Sequence, residues 1–192
     1  MTDDFESHDW PVRRTEIEYE TGWYTGGYDL VELPDGREKR YYWAELPPAV
    51  VIVTRLEDPS VYDLPGTEPS IVMVEQFRPP IREHCLELPA GLVEDGETFV
   101  EAGARELREE TGLVASSVER LERFWCATGV LRHERGIVYA DVEDRVEPSY
   151  DGDEFLSIRT VPVDDALVEV RSGAGNDASI EGLLLARADG RI

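Results

Sequence analysis

From Trp10 to about Leu46 apolar and polar residues alternate with a period of two, as half-buried strands require. Pro34-Asp35-Gly36 interrupts that alternation between a strand ending near Glu32 and one starting near Glu38, which predicts a hairpin. Pro47-Pro48 then punctuates the chain, and the β-branched run AVVIVTRL that follows reads as one buried strand. We therefore divide the sequence into an N-terminal β region, 1–47, and a larger domain, 48–192. In the larger part strands are predicted at 70–76, 85–88, 118–126, 136–142 and 155–161. A long helix is predicted over 98–111, with two closing helices after Pro162 and in NDASIEGLLLARADG, each ending near a glycine. Mixed strands flanked by helices make an α/β (α+β) fold, a mixed β-sheet sandwiched between helices, with a small N-terminal antiparallel β unit. The polar first ten residues are expected to be loose.

The predicted long helix carries the candidate chemistry. In GLVEDGETFVEAGARELREETGL, residues 91–113, Thr98 and Glu101 form a T-x-x-E capping box and Gly112 supplies a left-handed stop. Glu106 and Glu110 are four apart, and Glu109 is three from Glu106, so three carboxylates share one side of the helix. Like charges at that spacing cost an isolated helix roughly 0.2–0.5 kcal/mol per pair. A hard divalent cation, Mg²⁺ or Mn²⁺, removes that repulsion and lets an anionic phosphate approach. Arg105 is four residues from both Glu101 and Glu109 and is placed to orient the ligands. Phe99, Ala102, Leu107 and Leu113 are the core-facing positions. The alternative is a solvated acidic face, which RELREE alone would equally well suit.

Charge sharpens the choice of partner. Nineteen Lys plus Arg against 42 Asp plus Glu give −23, which excludes a nucleic-acid-binding surface and an anionic membrane surface as partners. The excess is spread along the chain, with 8 basic against 21 acidic residues in 1–96 and 11 against 21 in 97–192. Lys39 is the only lysine. That pattern resembles a salt-adapted, halophilic protein more than one with an acidic tail. Cys85 and Cys126 have no metal or redox spacing, no apolar run approaches a membrane span, and the N-terminus is acidic where a signal peptide is basic, so the expected location is the cytoplasm.

Gly91, Glu97, Arg105, Glu106, Leu107, Glu109, Glu110, Gly112 and Leu113 match G-x5-E-x7-R-E-U-x-E-E-x-G-U, where U is bulky and aliphatic. This resembles the Nudix hydrolase signature. The flanking EQFRPP (75–80), ELPAG (87–91), DEFLSIRTVPVDDAL (153–167) and DASIEGLLLA segments resemble the family's ADP-ribose pyrophosphatase branch. The resemblance implies a homodimeric, metal-dependent enzyme that cleaves the pyrophosphate of a nucleotide sugar. By motif position Glu106 and Glu110 become the principal metal ligands, Glu109 a further ligand or a base, and the Ala90 carbonyl a completing ligand. Glu97 and Arg105 become braces. Arg78 stands at the branch's Q-x-R position and is implied to hold substrate phosphates or ribose; its other reading is a surface ion pair. Trp23, with Tyr24 beside it in TGWYTGG, is the candidate for stacking on adenine, its other reading being a packed sheet residue. The loop CATGVLRHERG has Thr128 where the family has proline, and Glu134 stands where the family's loop glutamate acts as base, with His133 as competitor. The alternatives are another nucleotide sugar such as GDP-mannose, a dinucleotide, or a non-catalytic nucleotide-sugar-binding module.

Overall fold

The structure is a computed structural model describing residues 10–150 and 155–192, so the N-terminal segment expected to be loose, apart from Trp10, and the start of the 153–167 motif lie outside the described residues. In chain order the strands are β1 (Val12–Glu20), β2 (Thr25–Glu32), β3 (Glu38–Glu45), β4 (Ala49–Val53), β5 (Arg55–Leu56), β6 (Ser70–Arg78), β7 (Glu83–Glu87) and β8 (Ala90–Leu92). Helix α1 (Phe99–Thr111) follows, then β9 (Leu113–Trp125), β10 (Leu131–Arg132), β11 (Glu134–Arg145), β12 (Leu156–Pro162), α2 (Val163–Ser172) and α3 (Asp177–Ala188). Two compact units result, one of described residues up to Pro47 with Trp125–Glu134, the other of described residues in Pro48–Phe124 and Arg135–Ile192.

The first unit is a sheet of order β1-β2-β3-β10. Its β2–β3 hairpin forms where Pro34-Asp35-Gly36 predicted it, with Gly36 N–H bonded to the Leu33 carbonyl at 2.9 Å and Glu32 opposite Glu38. Tyr28 is buried, its hydroxyl donating to Glu16 Oε2 at 2.7 Å and its ring lying under Arg40 at 4.6 Å. β1 ends the sheet, and all nine of its residues are exposed, Val12, Ile17 and Tyr19 among them.

The second unit stacks sheets of order β8-β4-β11-β9 and β12-β6-β5, with β7 paired to β6. β4 and β11 run parallel; β4–β8, β6–β12 and β6–β7 are antiparallel. Alternate residues of β4 serve two cores. Val50 and Ile52 pack with Ala102 and Leu107 of α1, while Val51 and Val53 pack with Ala166 and Val170 of α2 and Ala178 and Leu183 of α3. A strand buried on both faces reads as an unbroken apolar run, and each such Val or Ile contributes roughly 2 kcal/mol of burial. The fold is therefore α+β, mixed sheets between helices.

One expectation is modified. AVVIVTRL is two strands, because the chain breaks at buried Thr54 and passes from the sheet of β4 to that of β5. Covering both cores from one segment requires that switch.

Candidate active site

Helix α1 begins where its sequence encodes a start. Thr98 is extended (φ −90°, ψ 163°), its hydroxyl accepts the Glu101 N–H at 3.3 Å, and the Glu101 carboxylate accepts the Thr98 N–H at 2.8 Å. These bonds satisfy end groups that no helical partner reaches. They also hold the Glu101 carboxyl below the usual carboxylate range, the Thr98 backbone bond acting most strongly. Gly112 closes the helix at φ 75°, and a methyl group there would meet the Val146 carbonyl oxygen at 2.0 Å.

Arg105 ties the helix to the preceding loop. Its Nε donates to Glu97 Oε1 at 2.9 Å and its Nη2 to Glu97 Oε2 at 2.9 Å and the Leu92 carbonyl at 2.8 Å. Its Nη1 donates to Glu106 Oε1 at 2.8 Å and Glu109 Oε2 at 3.0 Å. All five guanidinium donors are thereby matched, which lysine could not reproduce. The contact with Glu97 raises the Arg105 pKa and lowers that of Glu97, so both stay charged.

The three carboxylates divide by exposure. Glu106 and Glu110 are buried, whereas the Glu109 side chain is 39% exposed and lines a cavity of about 470 Å³ with Arg108, Val114 and Ser149. Glu106 lies over Gly91, whose missing side chain makes its room, since a Cβ there would fall 1.9 Å from the Glu106 carboxyl carbon. Glu110 accepts the Ala90 N–H at 3.1 Å. The start of β8, Ala90–Gly91, and the inner face of α1 thus bring together the residues assigned by motif, and an all-oxygen donor set suits a hard divalent ion. Among the described residues no three His, Cys, Asp or Glu groups converge on one metal-sized centre; Arg105 bridges Glu106 and Glu109 instead.

Arg78 is neither isolated nor in a purely surface pair. Its Nε and Nη2 donate to Glu87 Oε2 at 2.9 and 2.6 Å, and the Glu87 side chain is 4% exposed against 43% for Arg78. Sequence reasoning passed over Glu87. The available signal was strand alternation, which puts Glu87 on the same inward face as buried Cys85, an unusual place for an acid. Burial raises the Cys85 thiol, so it is no candidate nucleophile.

The remaining assigned residues belong to the first unit. Trp23 lies in the turn between β1 and β2, 74% exposed, not packed in a sheet. Tyr24 beside it packs against Tyr19 in a tilted pair, ring centroids 5.7 Å apart and planes at 47°. His133 is buried, with Nδ1 2.8 Å from the Pro47 carbonyl oxygen, so that nitrogen carries a proton and is engaged structurally. Glu134 is half-buried at the start of β11. Thr128 sits in a turn closed by the Val130 N–H on the Ala127 carbonyl at 2.8 Å, with Ala127 left-handed at φ 40°. That turn, instead of a proline, shapes the loop.

Comparison with known proteins agrees with this geometry. A family model described as the NUDIX domain matches residues 46–180. The chain is 33% identical over 152 residues to an ADP-ribose pyrophosphatase of Bacillus subtilis (strain 168), covering 77% of this chain and 76% of that protein. It is 31% identical over 145 residues to a methanol dehydrogenase activator of Bacillus methanolicus, covering 74% and 73%. A crystal structure of an ADP compounds hydrolase superposes with a TM-score of 0.75 at 20% identity, covering 95% of this chain and 97% of that one, and so shares the fold. A match of that extent, over the segment that holds the braced carboxylate helix, makes the chain a member of the Nudix family.

Proposed function

We propose that the protein hydrolyses the pyrophosphate bond of a nucleoside diphosphate sugar, ADP-ribose, to AMP and ribose 5-phosphate, using Mg²⁺ as its divalent ion. The observation that carries this is the inner face of α1, where buried Glu106 and Glu110 oppose Ala90 and Gly91 of β8 under the bracing of Arg105. The substrate rests on the similarity to the Bacillus subtilis ADP-ribose pyrophosphatase. Glu106 and Glu110 would hold the metal with the Ala90 carbonyl, and Glu109 contributes either as ligand or as proton acceptor. When bound, the ion supplies Lewis-acid polarisation of the phosphoryl oxygens. Arg78 holds the substrate's anionic oxygens with the edge of its fork that Glu87 leaves open, and Trp23 offers an exposed face for the adenine. Glu134 takes the proton of the attacking water. His133 is the weaker choice because its Nδ1 is already bonded to backbone.

A partner of the same kind is part of this reading. An exposed edge strand bearing Val12, Ile17 and Tyr19 calls for a cover, and we assign it to a homodimer. Sedimentation as a monomer at micromolar concentration would reject that assignment. Cys85 and Cys126, both buried and neither in a disulfide, fit a reducing, cytoplasmic setting, and among the described residues no helix is long and apolar enough to cross a membrane.

The test is turnover of ADP-ribose, GDP-mannose and dinucleotides by purified protein in Mg²⁺ and KCl, with products followed. Release of AMP from ADP-ribose is expected. Preference for GDP-mannose would sink the substrate, and no turnover at all would favour a binding module. Glu110→Gln should lower the rate by orders of magnitude while the protein stays folded, because glutamine keeps an oxygen for the Ala90 N–H. Glu134→Gln should slow turnover far more than His133→Ala, and the reverse order would move the base to His133.

A further inference from the structure

Glu87 is a buried carboxylate to which the proposed chemistry gives no role. It is 3% exposed and lies at the end of β7. Its Oε2 accepts hydrogen bonds from Gln76 Nε2 at 3.0 Å and from Arg78 Nε and Nη2 at 2.9 and 2.6 Å. Its Oε1 accepts one from Asn176 Nδ2 at 2.6 Å. Burying a carboxyl group is costly unless its oxygens are paired and hydrogen-bonded, and Arg78 is the cation among its partners. Asn176 has a second duty as the N-cap of α3, its Oδ1 accepting the Ser179 N–H at 2.7 Å. Ser179 Oγ in turn accepts the Leu88 N–H at 2.9 Å. Side chains of β6, β7 and the start of α3 therefore meet at one anion.

The direction of the Arg78 fork follows from this. Its Nε–Nη2 edge is turned inward onto Glu87, and among the described residues Nη1 has no partner. A guanidinium gripped along one edge presents the other in a fixed direction, with less side-chain freedom left to lose on meeting an anion. We propose that Glu87 is the positioning residue for Arg78 and that Asn176 is its second tether, so that the N-terminus of α3 belongs to the apparatus that recognises the substrate's pyrophosphate. The proposal rests on the reading of Arg78 as the residue that holds the substrate.

The experiment compares Arg78→Lys, Glu87→Gln, the double variant and Asn176→Ser, which keeps a capping oxygen but has no amide to reach Glu87. For Glu87→Gln the KM for ADP-ribose should rise about tenfold with kcat little changed, and Asn176→Ser should raise it less. The double variant should be no worse than Arg78→Lys alone, because Glu87 acts through Arg78. An unchanged KM in folded Glu87→Gln, or losses that add in the double variant, would overturn the proposal; if Glu87→Gln does not fold, the KM of Asn176→Ser decides. A second readout needs no substrate. The Arg78 Nε–H, assigned in ¹⁵N spectra by its disappearance in Arg78→Lys, should exchange slowly in the wild type and rapidly in Glu87→Gln or Asn176→Ser. Wild-type protein that leaves ADP-ribose intact would defeat the substrate reading alone, and equal protection of that N–H in wild type and variants would then overturn the positioning role.

Discussion

At Gly91 a side chain would have to occupy space that the Glu106 carboxyl already fills, with its Cβ 1.9 Å from the carboxyl carbon. The obstructed group is the end of a flexible side chain, so the backbone need not move; the carboxylate must. Gly91→Ala is therefore expected to leave the melting temperature within a few degrees of wild type while cutting turnover about a hundredfold, the cost of misplacing a catalytic contact by about an ångström. Calorimetry and an AMP-release assay on the same preparation check this. A variant that loses stability and activity in proportion would show that Gly91 serves the fold and not the position of Glu106. The sequence marked Gly91 as a motif position without its reason, because the clash is with a residue 15 positions later. Glu87 was harder still, since its partners Gln76, Arg78 and Asn176 are 11, 9 and 89 residues away and form no local spacing.

Helix α1 shows the opposite case at the scale of an element. Its start, its stop and its core-facing residues Ala102 and Leu107 were legible, because Thr98–Glu101 and Gly112 are contacts within a turn and the two apolar positions obey the helical period, while Leu113 reaches the same core as the first residue of β9. What the period could not show was the unequal exposure of Glu106, Glu110 and Glu109, which depends on where β8 packs against the helix. The break of AVVIVTRL at Thr54 was hidden likewise, since β-branched residues continue through it and only the two-sheet arrangement demands it. Thr98→Ala should cost about 1 kcal/mol. The acid response has a definite sign. Glu97 and Glu101 are held below their ordinary 4.5, by Arg105 and Thr98 respectively. Their stabilisation is complete above that value and is lost as pH falls through the lower folded values. The denaturation midpoint should hold from pH 7 to about 5 and then decline, and the gap between wild type and Thr98→Ala should narrow on the acid side. A gap constant down to pH 3 would detach the cap from Glu101.

For the whole molecule the dominant quantity is the charge of −23. A few carboxylates are engaged in the site, and the others repel one another across the surface. In molar salt the screening length falls to about 3 Å, which suppresses that repulsion. Stability is thus expected to peak in molar KCl, measured as the melting temperature against salt; full stability in dilute buffer would assign the acidity another cause. Inside the second unit a different kind of unity holds. Val50 and Ile52 belong to one core, Val51 and Val53 to the other, and the same five-residue strand is the partition between them. Neither compartment can open while its neighbour stays shut, because the wall they share is a single backbone. Hydrogen exchange should accordingly release the amides of β4, β6 and β11 in one event of common free energy, making two sheets behave as one cooperative block.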